Sequence, residues 1–181
     1  MKIEGGQVRI RSCIYAAVAL GGNAAVLADT AMANGATTMV TAFAGQPDVP
    51  RNLTVKGNDA NVTGNVVIVG TDAEGAAITE TIALNAANVV VGSKAFASVT
   101  SITLPAYAVA NTERVRVGTG AKLGLPVRLS RNTVIAAYLA NAREGTAPTV
   151  TLSASVLSTN TVTLNSALNG TAVIVDLYET A

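Results

Sequence analysis

The side chains that could do chemistry in this chain are few, and they form no recognisable catalytic set. The sequence has no histidine, which excludes imidazole metal ligation and histidine-dependent acid–base catalysis. Its single cysteine, Cys13, lies in an apolar run, where a buried and unreactive thiol is expected. Asp72 and Glu74 fit a polar turn better than a catalytic pair. We predict a protein that is not an enzyme and has no catalytic, cofactor-binding or metal-binding residues.

The segment Gly118–Gly124, GTGAKLG, faintly resembles a phosphate-binding loop. It lacks the GxxxxGK[ST] spacing, and no helix-forming run follows it. We therefore expect a glycine-rich strand connection here.

Charge and composition restrict the partners. Twelve basic and eleven acidic residues give a net charge of +1, and basic residues cluster only weakly without interleaved aromatics, so dedicated nucleic-acid binding is not expected. The weakly clustered basic residues are Lys2, Arg9 and Arg11, then Arg114, Arg116, Lys122, Arg128 and Arg131. Hydrophobic residues make up 50% of the chain but aromatic residues only 3%, which predicts a thin core of small side chains. Such a core is often completed against other subunits, so we expect a homo-oligomer; a monomeric sandwich is the alternative.

The elements that must position these residues centre on a predicted β-hairpin. Two β-branched runs, Val66–Gly70 and Ile78–Leu84, flank the loop Thr71–Gly75. Gly75 would supply the positive φ of a type I turn followed by a bulge. Further runs should extend the hairpin into a meander: Leu53–Lys56, Val89–Val91 and Val99–Leu104. Glu80 shares a face with Ile78 and Ile82. An exposed edge position is favoured for it over an ion pair across an interface.

The first fifty residues form a predicted N-terminal arm and β appendage (1–50), separated from a main β-sandwich domain (51–181) by the proline-containing break Gln46–Pro50. In Met1–Arg11, Val8 and Ile10 alternate with Arg9 and Arg11, a strand able to join a neighbouring sheet edge. An ordinary first strand or a ragged terminus are the alternatives. Cys13–Ala28 is predicted to form two short buried strands around Gly21–Asn23, with no targeting signal and no membrane span.

The C-terminal part contains more strand signals. Thr133–Asn141 is ambiguous between a strand and a short helix. Three strands are predicted at Thr149–Leu157, Thr161–Leu164 and Thr171–Tyr178, the last preceded by an Asn169-Gly170 turn. The fold class is therefore an all-β, antiparallel β-sandwich with an N-terminal extension and little helix.

The strand and turn pattern resembles that of structural proteins of tailed-bacteriophage virions. The matching positions are Pro50–Gly57 (PRNLTVKG), Gly64–Gly75 (GNVVIVGTDAEG), Thr79–Ile82 (TETI), Lys94–Ile102 (KAFASVTSI) and the ending Asn160–Val173 (NTVTLNSALNGTAV). The resemblance implies a β-sandwich that coats or completes a virion and is made in the host cytoplasm. It carries no active-site signature.

The favoured function is a non-enzymatic structural protein of the phage particle, most simply a capsid decoration or head-auxiliary protein bound to the major capsid protein or other virion proteins. A tail component, such as a tube or fibre-base subunit, is the first alternative. The second is a carbohydrate- or receptor-binding module, which the shortage of aromatic residues disfavours.

Overall fold

The computed structural model describes residues 9–109 and 112–179, with the side chain of residue 179 excepted. Within these ranges the only helical element is a 3₁₀ turn, Leu157–Thr159, so the expectation of an all-β fold with little helix is confirmed. The strands are β1 (Arg9–Tyr15), β2 (Leu27–Ala31), β3 (Thr38–Val40), β4 (Arg51–Gly57), β5 (Asn65–Thr71), β6 (Ala77–Ala83), β7 (Val89–Phe96), β8 (Ser98–Leu104), β9 (Arg114–Gly124), β10 (Val134–Leu139), β11 (Ala142–Arg143), β12 (Thr149–Thr151), β13 (Thr161–Thr163) and β14 (Val173–Glu179).

The strands form three antiparallel sheets that pack together, an arrangement consistent with the expected β-sandwich-like fold. The terminal sheet has the order β1-β14-β10-β11, and the hairpin sheet has the order β3-β8-β5-β6. Between them in the fold lies the six-stranded central sheet, with the order β12-β13-β9-β4-β7 and β2 also paired to β9. Every strand therefore finds at least one partner for its backbone hydrogen bonds.

The apolar side chains are buried in two clusters rather than one. The first lies between the hairpin sheet and one part of the central sheet, and the fully buried Phe96 belongs to it. The second lies between the terminal sheet and the far part of the central sheet. Strand β9 contributes Val115 and Val117 to the first cluster and Leu123 to the second. One long strand thus joins the two cores.

The predicted hairpin is confirmed as β5 and β6. Gly75 has φ +82°, its N–H donates to the carbonyl of Asp72 at 3.0 Å, and the N–H of Asp72 donates to the carbonyl of Ala76 at 2.9 Å. This is the type I turn with a glycine bulge that the loop sequence predicts. The Asp72 carboxylate also accepts the N–H groups of Glu74 and Ala76, at 2.9 and 3.0 Å. Asp72 is therefore a turn residue, as expected.

The predicted meander is wrong for two of its strands. Strand β8 does pair with β5, but β4 and β7 pair with each other in the central sheet. The physical reason lies in β4, which is buried at nearly every position and so on both of its faces. A strand added to the outside of the hairpin would not receive packing on two sides.

The N-terminal strands are members of all three sheets. Strand β1 pairs with β14, β2 with β9 and β3 with β8. The chain does turn at Gly22, but the two short buried strands expected around Gly21–Asn23 are wrong, because residues 16–26 lie outside the strands. The Gly22 carbonyl instead accepts the N–H of Thr119 on β9. The division at residue 50 stays a prediction, and three strand pairings cross it. Residues 1–8, including Val8, lie outside the described ranges.

The ambiguous segment Thr133–Asn141 contains a strand, β10. Its residues Ala137 and Leu139 alternate into the second core, and the strand pairs with β14 in the terminal sheet. The three predicted C-terminal strands exist, but the first ends at Thr151 as β12. Beyond it the buried Asn160 side chain accepts the N–H groups of Leu129 and Ser153 and donates to the carbonyls of Ser153 and Val156. These bonds hold the chain in turns where the sequence pattern suggested a longer strand.

Replacing Gly75 by valine tests the turn. Nothing lies within 4 Å of the added Cβ, so the cost arises from the positive φ, and we expect Gly75→Val to lower the free energy of unfolding by about 1–3 kcal/mol. The matched control is Gly145→Val, at an equally open glycine without positive φ. Urea unfolding measures both. Equal stability of the two variants would contradict the assignment of a strained position at residue 75.

Candidate functional site

Cys13 and the glycine-rich segment Gly118–Gly124, which were considered for chemistry, both lie in packed parts of the fold. Cys13 is buried, 5% exposed, in the second core. The segment Gly118–Gly124 lies within β9, so it is part of a strand itself rather than the glycine-rich strand connection that was expected. A Cβ at Gly118 would clash with the carbonyl of Gly22, and one at Gly120 would clash with the side chain of Asn52. These glycines therefore permit close backbone approach in the central sheet.

Glu74 lies beside Asp72 in the hairpin turn but engages a distant arginine. Its two carboxylate oxygens accept hydrogen bonds from Arg128, at 3.0 and 2.6 Å. The hydrogen bond from Arg128 and, to a lesser degree, its charge hold the pKa of Glu74 below its usual range against the opposing effect of desolvation. The pair is exposed, so it orients Arg128 more than it stabilises the fold.

Glu80 is buried, 8% exposed, and the expected exposed edge position is wrong. Strand β6 is indeed at the edge of the hairpin sheet. The carboxylate, however, turns toward the neighbouring β7 of the central sheet, where it accepts the N–H and Oγ–H of Ser93 at 2.6 and 2.8 Å and the N–H of Lys94 at 3.3 Å. Gly92 leaves room for it, since a Cβ there would lie 2.7 Å from its Oε2. Backbone donors thus satisfy this carboxylate, which joins the edges of two sheets.

Arg51 is a buried charge that the sequence pattern did not indicate. It is completely buried at the start of β4. Its Nε and Nη2 donate to the carbonyl of Gly120, and its Nη1 donates to the carbonyl of Ala19 at 3.0 Å and to the Asp48 carboxylate at 2.8 Å. Its place at the head of an otherwise nearly uncharged strand, directly after Pro50, is the one sequence signal that could have identified it.

The candidate interaction surface is the outer face of the terminal sheet, meaning the face opposite the second core. Ile10 and Ile14 on β1 are each 70% exposed there. The strand register places Ile14 beside Ile174 of β14, which in turn faces Tyr138 of β10, and it places Ile10 beside Tyr178. Two apolar rows therefore cross the sheet on its solvent side.

One polar row separates these apolar rows. Ser12 lies opposite Asp176 in the register and donates its hydroxyl hydrogen to the carboxylate at 2.6 Å. Strand β1 is also the edge of the terminal sheet, and it pairs with β14 without a bulge. Within the described residues its other backbone edge has no strand partner, which leaves it open to a further strand.

No group of three or more cysteine, aspartate or glutamate side chains among the described residues is placed to hold a metal ion. The helices of the same ranges include none of the length and apolarity needed to cross a membrane. Comparison with known proteins gives no match: no family model, no curated protein and no solved structure matches the chain.

The Arg51–Asp48 pair predicts a loss of stability in acid. Burial raises the pKa of Asp48, but the hydrogen bonds from Arg51 and from the N–H of Ala19 outweigh this effect, so the net pKa lies below its usual value. A depressed pKa in the folded state contributes stability that is present at neutral pH and is lost as the pH falls below about 4. Wild type should therefore lose this contribution in that range.

Asp48→Asn removes the contribution at every pH. We expect it to lower the free energy of unfolding by about 1–2 kcal/mol at pH 7 and to flatten the acid limb of a plot of stability against pH. Asp29→Asn, at an exposed partner of Arg116, is the control and should cost about 0–1 kcal/mol. Denaturant titrations between pH 3 and pH 7 measure these differences, and an acid limb unchanged by Asp48→Asn would contradict the prediction.

Proposed function

We propose that this protein is a structural subunit of a bacteriophage particle, most simply a capsid decoration or head-auxiliary protein. It would bind the capsid lattice through repeated interfaces and be made in the host cytoplasm. The observation that carries the proposal is the outer face of the terminal sheet, where exposed isoleucines adjoin an open edge strand. The virion-like strand and turn pattern of the sequence supplies the class of assembly.

The outer face has the features of a surface that is covered in use. Single exposed apolar residues are common, but a contiguous block on one sheet face indicates an interaction site. Here the apolar residues form two rows, Ile14 with Ile174 and Tyr138, and Ile10 with Tyr178, with the Ser12–Asp176 pair between them. An uncovered apolar edge strand is also an aggregation hazard, so a protein present in many copies benefits from burying it. The major capsid protein, another virion protein or a second copy would do so.

A tail component uses the same kind of surface and remains the first alternative. One observation favours a carbohydrate- or receptor-binding module as a second candidate: Tyr138 and Tyr178 lie on the outer face and are partly exposed. Aromatic rings on an accessible face are the groups on which sugars stack. The exposed isoleucines beside these tyrosines, however, are better suited to contact another protein surface than a hydroxyl-rich ligand.

Imaging of particles that contain the protein tests its location. Ordered density on the capsid lattice is the expected result, and density along the tail would favour the tail alternative. Absence of the protein from purified particles would overturn both.

A charge on the outer face should block assembly without unfolding the chain. We expect Ile14→Lys to weaken self-association or particle binding by about tenfold or more, because a lysine would be desolvated in the interface. The thermal melting temperature should stay close to that of wild type, since Ile14 is exposed in the free subunit.

The matched control is Met39→Lys. Met39 is 69% exposed on β3, at the edge of the hairpin sheet rather than the terminal sheet. Sedimentation velocity and particle co-sedimentation compare the two variants. Equal binding by Ile14→Lys and wild type, or equal losses in both variants, would contradict a role for the outer face.

A further inference from the structure

A cavity of about 410 Å³ lies where the segment 126–133 meets the end of β14 and the turn between β5 and β6. We call it the arginine cavity. Its polar lining comes from Arg11, Glu74, Arg128, Ser130, Arg131 and Thr133. Its apolar lining includes Val127, Leu129 and Leu177. A volume of this size falls in the range of about 300–1,000 Å³ that is typical of small-molecule sites.

The cavity is lined by more positive than negative side chains, with three arginines and one carboxylate. Glu74 is the only carboxylate among its lining residues, and both of its oxygens are already occupied by Arg128. Arg128 is therefore neutralised locally and held in place by a bidentate pair. The positive charge of Arg131 has no such carboxylate, because no described acidic residue forms an ion pair with it.

Arg131 is oriented by an aromatic ring instead. Its Cζ lies 5.8 Å from the ring centroid of Tyr178, within the range of a cation–π contact. Such a contact uses the charge of the guanidinium but not its N–H donors, and Arg131 donates no hydrogen bond among the described residues. The cavity thus contains a guanidinium whose fork of donors remains available to a ligand.

Thr133 supplies an independent indication of a ligand. The residue is 4% exposed and lines the cavity, and its Oγ1 has no hydrogen-bond partner. Buried hydroxyl groups in folded proteins are almost always hydrogen-bonded, because an unpaired one keeps the cost of its desolvation. The hydroxyl oxygen is shielded in the unliganded chain, so a ligand would gain this hydrogen bond, and remove the cost, after rotation about χ1 of Thr133.

We propose that the arginine cavity binds a carboxylate attached to an apolar body. A guanidinium recognises a planar carboxylate through two parallel hydrogen bonds, and the apolar side chains of Val127 and Leu177 suit the remainder of such a ligand. A phosphate would draw on several charged donors, and Arg128 already gives its donors to Glu74. The cavity shares Tyr178 with the outer face but none of its isoleucines, so this inference does not rest on the proposed function.

Titration of the full chain with sodium benzoate, followed by NMR, tests the proposal. We expect saturable shifts of the amide signals of Ser130, Arg131 and Thr133, with no such shifts from neutral benzamide or from inorganic phosphate at the same concentration. Arg131→Gln should weaken benzoate binding by about tenfold, since a charge-assisted hydrogen bond is lost. Thr133→Val should also weaken binding while the unliganded protein melts no lower than wild type.

Arg143→Gln is the matched control, because Arg143 is an exposed arginine on β11 that does not line the arginine cavity. It should change the benzoate affinity by less than about twofold. Equal weakening by Arg143→Gln and Arg131→Gln would show nonspecific charge attraction and overturn the proposal. Tighter binding of phosphate, or no saturable binding of benzoate to the wild type, would overturn it as well.

The carboxylate could come from a free metabolite or from an acidic side chain of a neighbouring subunit, and a competition experiment separates these sources. If a neighbour supplies it, benzoate and Arg131→Gln should both weaken self-association or particle binding. If the ligand is free, assembly should be insensitive to both. The NMR titration measures benzoate binding to the cavity in the unassembled chain. Failure of the proposed assembly role would therefore not change its result.

Discussion

The buried guanidinium of Arg51 is the constraint on which the middle of this structure depends. A charge removed from water needs hydrogen-bond acceptors on every side, and a partner carboxylate reduces its cost further. Here the acceptors are the carbonyls of Gly120 and Ala19 and the carboxylate of Asp48. They belong to β9, to the segment before β2 and to the approach to β4, so three separate stretches must close on one point. That point lies where β9 passes from the first core to the second.

The same arrangement brings other parts of the chain close to β9. This close approach explains why β9 is rich in glycine. The Gly22 carbonyl and the Asn52 side chain occupy the space that Cβ atoms at Gly118 and Gly120 would need. Asn52 itself accepts the N–H of Lys122 and donates to the carbonyl of Gly92, which extends the polar contacts across the central sheet. A sequence that resembles a phosphate loop therefore serves the packing of backbone on backbone.

Local features of the fold could be predicted from the sequence, but long-range ones could not. The hairpin around Gly75 was predictable because turn chemistry acts over a few residues. The sheet that β4 joins depends on which distant surfaces cover its two faces. The burial of the Glu80 carboxylate depends on hydrogen-bond donors from Ser93, which lies in another sheet. The alternation of Ile10 with Arg9 and Arg11 could be recognised in the sequence. Which of the two faces of β1 points into the core, however, depends on its pairing with β14. The outer face and the arginine cavity both result from such distant pairings.

The pairing of β1 with β14 has a consequence for the timing of synthesis. Their partners are separated by most of the chain, as in the bond between Ser12 and Asp176. Strand β1 is made long before β14 and cannot enter its sheet until residues 173–179 have been made. Until then its isoleucines have no fixed neighbours, and contacts between residues so distant form slowly. The outer face, which needs rows contributed by both strands, therefore comes into existence only once residues 173–179 have been made. A nascent or truncated copy cannot present it.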